Sequence, residues 1–314
     1  MTKSTPLISI VTPCFNEEEN VEELFRRTCE VFATLPDTDF EHIFIDNASS
    51  DRTVEVLRAM AARDPRVRVI VNNRNFGHIR SPFHAYLQAR GDAIIAMVAD
   101  LQDPPELIAD LISKWREGYK VAICTKPTSR ESLAMSLVRK LYYRTAGRIS
   151  DVDLIPNFCG FGIYDREVIE QMRRMDDPYP YFRGLIAEFG YTYATIPFDQ
   201  PRRYRGITKN NFYSLFDTAM LGITSHSKVP IRVATLAGFT LSALSMTVAL
   251  VYLIAKLIYW DSFALGTTPI LVGVFFFASV QLFFIGILGE YIAAIHTQVL
   301  KRPHVVEKER INFD

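Results

Sequence analysis

Carboxylates, amides and cations gathered at four points along the chain are the side chains equipped to do chemistry. Asp100-Leu101-Gln102-Asp103-Pro104-Pro105-Glu106 sets aspartates at a spacing of three beside a glutamine. Hard oxygen donors of this kind hold Mg2+ or Mn2+, which bridges a diphosphate and neutralises a departing phosphate. Asp103 reads equally well as a helix N-cap, whereas Asp100 ends an apolar stretch and, once buried, needs a cation or a donor as partner. Upstream, Asp46-Asn47-Ala48-Ser49-Ser50-Asp51 packs short oxygen-bearing side chains suited to hydrogen bonding a base or a ribose. Thr12-Pro13-Cys14-Phe15-Asn16-Glu17-Glu18-Glu19 exposes backbone and acids at a helix start, and helix capping alone accounts for those acids. Arg202-Arg203-Tyr204-Arg205-Gly206-Ile207-Thr208-Lys209 surrounds one glycine with cations, either a loop that closes over phosphates or a belt of membrane-proximal charge.

Each of the first three clusters directly follows a stretch with strand character. Leu7–Pro13, His42–Asp46, Val67–Val71 and Ala93–Ala99 are short, apolar and rich in β-branched residues, and they alternate with segments of helical periodicity at Asn20–Leu35, Asp51–Arg63, Ile79–Arg90 and Pro104–Glu117. The alternation predicts an α/β fold with a mostly parallel sheet covered by helices on both faces, so that the clusters meet at the carboxyl ends of the strands.

Composition narrows the class. Hydrophobic residues make up 49% of the chain and the net charge is zero, which excludes a disordered chain and gives no global field for nucleic acid. The four cysteines lie far apart with no CxxC pair, so they read as buried, reduced thiols. No signal-peptide pattern opens the sequence, which places the first domain in the cytoplasm. From Val233 to Ala255 about 23 residues pass without a charge, and from Ser262 to Gly289 about 28 do, each enough to span ~30 Å of hydrocarbon. Arginines and lysines precede the first span and follow the second, an asymmetry that keeps both termini cytoplasmic and the hairpin loop outside, in an inner or plasma membrane. The expected organisation is a catalytic domain over 1–205, a juxtamembrane segment over 206–231, two transmembrane helices within 232–296 (about 232–257 and 267–290) and a cytoplasmic tail over 297–314.

With these clusters in this order, the chain resembles the family 2 glycosyltransferases, and among them the polyprenyl-phosphate sugar transferases typified by dolichyl-phosphate mannose synthase and the bacterial carrier-lipid transferases. TPCFNEEEN at Thr12–Asn20, DNASSD at Asp46–Asp51, RNFG at Arg74–Gly77, ADLQDPPE at Ala99–Glu106, RGITK at Arg205–Lys209 and LGEY at Leu288–Tyr291 carry the resemblance. It implies a GT-A fold, a nucleotide-diphosphate sugar donor (a UDP-sugar favoured), Mg2+ or Mn2+, and an undecaprenyl or dolichyl phosphate acceptor in the bilayer. It places Pro13, Asn16, Glu17, Asp46, Ser49, Asn75, Gly77 and Asp100 around the nucleotide sugar, Asp100 and Gln102 on the metal, and Arg130, Arg203, Thr208 and Lys209 at the acceptor phosphate. Asp100, Asp103, Arg203 and Lys209 take the catalytic roles, with inversion at the anomeric carbon.

The chain departs from the family pattern at two places. An acid usual two residues before Asp100 is replaced by Val98, and the acid and arginine of a GDFRL-like segment are replaced by Gly160 and Gly162, which widens the pocket or removes an acceptor clamp. Arg130, Arg139, Lys140, Arg144 and Arg148 recur at near-helical spacing, as a solvated face or a lure for the carrier's phosphate. His78 and His84 read as surface residues. Gln200-Pro201-Arg202-Arg203-Tyr204 faintly imitates the QxxRW signature of a processive polysaccharide synthase, which two spans argue against, and Val98 and Gly160 also suit a weakened scaffold of the same fold. Glycines in the spans allow self-association into a homo-oligomer.

Overall fold

The computed structural model describes residues 5–126, 155–201, 220–222, 224, 227–259 and 267–313. Arg130, Arg203, Thr208 and Lys209 lie outside the described residues, as do the basic segment around them and the loop joining the two apolar helices.

One eight-stranded sheet organises the N-terminal part, in the order β7-β5-β6-β4-β1-β2-β3-β8. Its centre is parallel: β1 (Leu7–Cys14) lies between β2 (Asp39–Asp46) and β4 (Ala93–Ala96), and β3 (Val67–Asn72) pairs with β2. On one flank β6 (Phe158–Asp165) runs antiparallel to both β4 and β5 (Val121–Thr125), with β7 (Tyr193–Pro197) parallel to β5. Alternation along β2 shows how the two layers arise, since Phe40 and Phe44 enter the core on one face and Ile43 and Ile45 the core on the other. The first face carries α1 (Val21–Ala33), α2 (Thr53–Arg63) and α4 (Ile108–Arg116). The second carries α3 (Gly77–Gln88), α5 (Arg166–Met175) and α6 (Phe182–Glu188). Burying one ring such as Phe44, fully enclosed, is worth roughly 1.5–3 kcal/mol.

Several boundaries differ from the sequence expectation for local reasons. The fourth strand stops at Ala96, three residues early, because its last partners are Val11 and Gly162 and the chain then turns out of the sheet to place Leu101 at φ 60°. Pro104 and Pro105 give up only N–H groups that a first helical turn leaves unpaired, and the helix opens through a 3-10 turn over Pro105–Leu107.

Beyond the sheet, α7 (Val229–Ile258) and α8 (Thr267–Val299) are 30 and 33 residues long. Both are long and apolar enough to cross a membrane. They are not core helices: Leu236, Phe239, Leu282 and Phe283 are each about two-thirds exposed or more. Tyr291, in the LGEY motif, is buried and donates its hydroxyl to the Ser227 carbonyl at 2.6 Å, tying α8 to the approach of α7.

The segment expected as a plain tail instead returns to the sheet. Residues Glu307–Ile311 form β8, antiparallel to β3 at the edge. Asn312 donates to the carbonyls of Ala61 and Val67 at 2.8 and 2.9 Å, and Arg58 pairs with Glu309. His84 is likewise no free surface residue: Glu307 of this strand faces its Nε2, and it is only 17% exposed.

Candidate functional site

The loops after β1, β2 and β3 are bound to one another by hydrogen bonds at the carboxyl edge of the sheet. Asn16 adopts φ 58°, a left-handed conformation that asparagine tolerates, which turns the chain sharply after β1. Its backbone N–H donates to Ser49 Oγ at 2.9 Å, and its Oδ1 accepts from the Ser50 N–H at 2.8 Å. Glu17 N–H donates to Thr53 Oγ1 at 2.9 Å, while Glu17 Oε2 accepts from Asn20 Nδ2 at 2.6 Å. Asp46 is fully buried at the end of β2, and both its oxygens accept from Ser49, one from the backbone N–H at 3.0 Å and one from the hydroxyl. Burial raises the pKa of this carboxyl, and the Ser49 donors oppose the shift. The arrangement makes Asp46 a shaper of the loop whose serines remain at its rim.

A second knot joins β2 to the start of α3. Asn47 Nδ2 donates to Asn75 Oδ1 at 2.9 Å and to the Gly77 carbonyl at 3.2 Å. Asn47 Oδ1 accepts from the Phe76 N–H at 2.9 Å and from Asn72 Nδ2 at 3.1 Å, and Asn72 also donates to Ser81 Oγ. Asn75 and Gly77 thus sit beside the DNASSD loop, held there by Asn47. Neither Asn47, Asn72 nor Ser81 figured among the expected site residues, since an amide whose partners lie 25–30 positions away leaves no local pattern.

The third part is the loop after β4. Asp100, 8% exposed, accepts the Gln102 N–H on Oδ1 at 3.1 Å. Asp103 turns inward and accepts the Val98 N–H on Oδ2 at 3.2 Å. It is 4% exposed, and burial pushes its carboxyl up to about 7, with the nearby Lys126 opposing and Asp100 reinforcing the shift. The two buried carboxylates hold different backbone groups, Asp100 the Gln102 N–H and Asp103 the Val98 N–H. Among the described residues no three His, Cys, Asp or Glu side chains form a ready cage for a metal. Mg2+ needs none, because one or two carboxylates with substrate phosphates and waters complete its shell, so an Asp100 carboxylate and a Gln102 amide oxygen are donors of a fitting kind.

The two glycines on β6 have separate explanations. A Cβ on Gly162 would stand 2.5 Å from the Ala122 carbonyl oxygen of β5, so strand packing excludes an arginine there and no pocket is widened. Gly160 holds φ 100° with nothing within 4 Å of a Cβ, and its freedom is conformational. The neighbouring Asp165 caps α5 by accepting the Glu167 N–H at 3.0 Å and also takes the Trp115 indole N–H at 2.8 Å. All four cysteines are free thiols, two buried and two half-buried.

A family model described as "Glycosyl transferase family 2" matches residues 9–173, more than half of the chain. A glycosyltransferase of Synechocystis sp., sll0501, is 34% identical over 94% of this chain and 93% of its own length. The SfII prophage-derived bactoprenol glucosyl transferase of Shigella flexneri is 33% identical over 96% of this chain and 97% of its own. Among solved structures, a mannosyltransferase of Pyrobaculum calidifontis in complex with GDP-Man and Mn2+ aligns over 96% of this chain and 89% of its own, with 15% identity and a TM-score of 0.47.

Proposed function

Because this chain belongs to glycosyl transferase family 2, a group of glycosyltransferases with a GT-A-like α/β fold, we propose that it moves a sugar from a nucleotide-diphosphate sugar, a UDP-sugar by our reading, onto a polyprenyl phosphate with inversion at the anomeric carbon. What carries the proposal is the joining of one interlocked set of polar loops at the carboxyl edge of the sheet to two exposed apolar helices in the same chain. The full-length similarity to a bactoprenol glucosyl transferase supports a lipid-phosphate acceptor.

In this reading the loops of Pro13, Asn16, Glu17, Asp46 and Ser49, with Asn75 and Gly77, receive the nucleotide sugar. Asp100 and Gln102 would hold a divalent cation, Mg2+ or Mn2+, which when bound offsets charge on the diphosphate leaving group. Asp103 holds the Val98 N–H and so fixes the turn that presents Asp100, a positioning role where the sequence suggested a catalytic one. The acceptor phosphate is already an anion, so one of its oxygens attacks the anomeric carbon without a strong base as the bond to the diphosphate breaks. Arg130, Arg203, Thr208 and Lys209 supply the cations and hydroxyl that hold that phosphate near the sugar.

Strand pairing supports the orientation. β8 follows α8 and β1 to β4 precede α7, yet they share one sheet, so both ends of the helical hairpin return to one side. We assign that side to the cytoplasm, with the catalytic unit over 1–205, the spans within 232–296 and the residues after 297 contributing a strand to the catalytic unit.

The test mixes the purified chain with undecaprenyl phosphate, Mg2+ or Mn2+ and a panel of radiolabelled nucleotide sugars, and follows label into the organic phase. Transfer from one donor, reduced on the order of 10²- to 10³-fold by Asp100→Ala, is the expected outcome. Label that enters neither lipid nor any other acceptor would defeat the reading.

A further inference from the structure

Two arginines at the start of α3 and a third from beyond α8 come together where α8 ends. The ring of Phe76 lies beneath two guanidinium groups, Arg74 at 4.1 Å and Arg80 at 5.5 Å from its centroid. Arg80 donates an Nη to the Pro303 carbonyl, and its Nε is buried with no hydrogen-bond partner among the described residues. Pro303 carries Arg302 next to it, three residues beyond the last residue of α8. Burial first, then the fields of Arg74 and Arg302, press the Arg80 guanidinium below its ordinary pKa, with Tyr179 opposing. No carboxylate is among the groups acting on Arg80; Asp176 and Asp177 bear on His304, and Asp177 Oδ1 accepts from Gln298 Nε2 at 2.8 Å and from the Tyr179 N–H at 2.9 Å.

We propose that Arg74, Arg80 and Arg302 form a binding site for the phosphate of an anionic bilayer phospholipid. A tetrahedral phosphate offers several acceptors to forked guanidinium donors, and it relieves repulsion among three clustered cations. The place fits such a headgroup. The last turns of α8 keep Ile292, Ile295 and Val299 exposed, and the chain turns cationic just past them, at the level where an apolar helix leaves hydrocarbon for phosphates. The acceptor of the transfer reaction is a poorer fit. Arg74 and Arg80 follow β3, and Asp100 follows β4, three strand spacings away across the sheet, about 14 Å.

The inference rests on reading α7 and α8 as membrane spans, and the experiment separates the two. Full-length protein is placed in nanodiscs of mixed phosphatidylglycerol and phosphatidylcholine, and the lipid retained on mild detergent extraction is quantified. Wild type should retain phosphatidylglycerol preferentially. Arg80→Gln and Arg302→Gln should each lower that preference about fivefold, the factor expected when one cation near an anionic leaflet is removed. Unchanged thermal melting of the exposed-site variant Arg302→Gln checks that loss of lipid is not loss of fold. Equal retention by wild type and the double variant overturns the proposal, as does displacement of phosphatidylglycerol by stoichiometric undecaprenyl phosphate or millimolar inorganic phosphate. Failure of the chain to enter nanodiscs at all would instead strike at the membrane reading.

Discussion

Asn47 illustrates how much of the site depends on one amide. Its side chain is buried and exchanges four hydrogen bonds with Asn72, Asn75, Phe76 and Gly77. Asn47→Ala strands the Phe76 N–H and leaves the Asn72 amide with Ser81 alone, at about 1–3 kcal/mol for a buried group left unpaired. Chemical denaturation should show that loss, and donor KM should rise more than kcat falls, because the α3 start is released. The acidic loop at Asp100 was legible in the sequence, since an aspartate closing an apolar run announces itself. Asn47 and Asp46 stood in the polar cluster read from the sequence, but their partners did not: the engagement of Asp46 by Ser49 depends on the backbone folding back three residues, which composition does not reveal.

At the scale of elements, β2 carries a titration that no loop motif signals. His42 is fully buried, its Nε2 is 2.9 Å from Thr12 Oγ1, and its ring stacks on Phe44 with centroids 4.0 Å apart. Burial pushes its pKa down to about 3 from 6.5. The folded state therefore keeps the ring neutral, and its contribution is fully present above pH 6.5 and drains away as pH falls from there toward 3. The expected slope is about 1.4 kcal/mol per pH unit for one proton. His42→Gln should flatten that slope in urea titrations run at several pH values, whatever its effect on absolute stability. The glycines of β6 give a second element-level prediction. Gly162→Ala, driven against the β5 carbonyl, should destabilise by roughly 2–3 kcal/mol, against about 1–2 kcal/mol for Gly160→Ala, which meets only backbone strain. A reversed order in thermal melts would contradict this account. The four parallel strands and their helices followed from alternating periodicity, while the flank of β5, β6 and β7, in which β6 runs antiparallel to both neighbours, did not, because pairing direction across a sheet is decided by connections rather than by any strand's own residues.

At the scale of the whole molecule, the C-terminal strand is what the sequence concealed most fully. Glu307-Lys308-Glu309-Arg310-Ile311 reads as a soluble tail, and its charges are those of an edge strand that discourages further pairing. Removing residues 304–314 uncovers β3 and discards the Arg58–Glu309 pair, the His84–Glu307 pair and both Asn312 bonds. The truncated chain should melt at lower temperature by an amount reflecting at least ~2–4 kcal/mol, and it should aggregate through the freed edge, as light scattering would report.

That closing strand also sets an order of events. β8 leaves the ribosome after both apolar helices. Until then the outer edge of β3 stays bare, and the sheet is finished only when the residues beyond α8 have come back to it. With α7 and α8 read as spans, completion of the sheet would be coupled to their insertion: a chain whose hairpin went in the wrong way round, or only half way, would hold β8 on the far side of the bilayer and leave the edge of β3 open to proteases and to other unfinished copies.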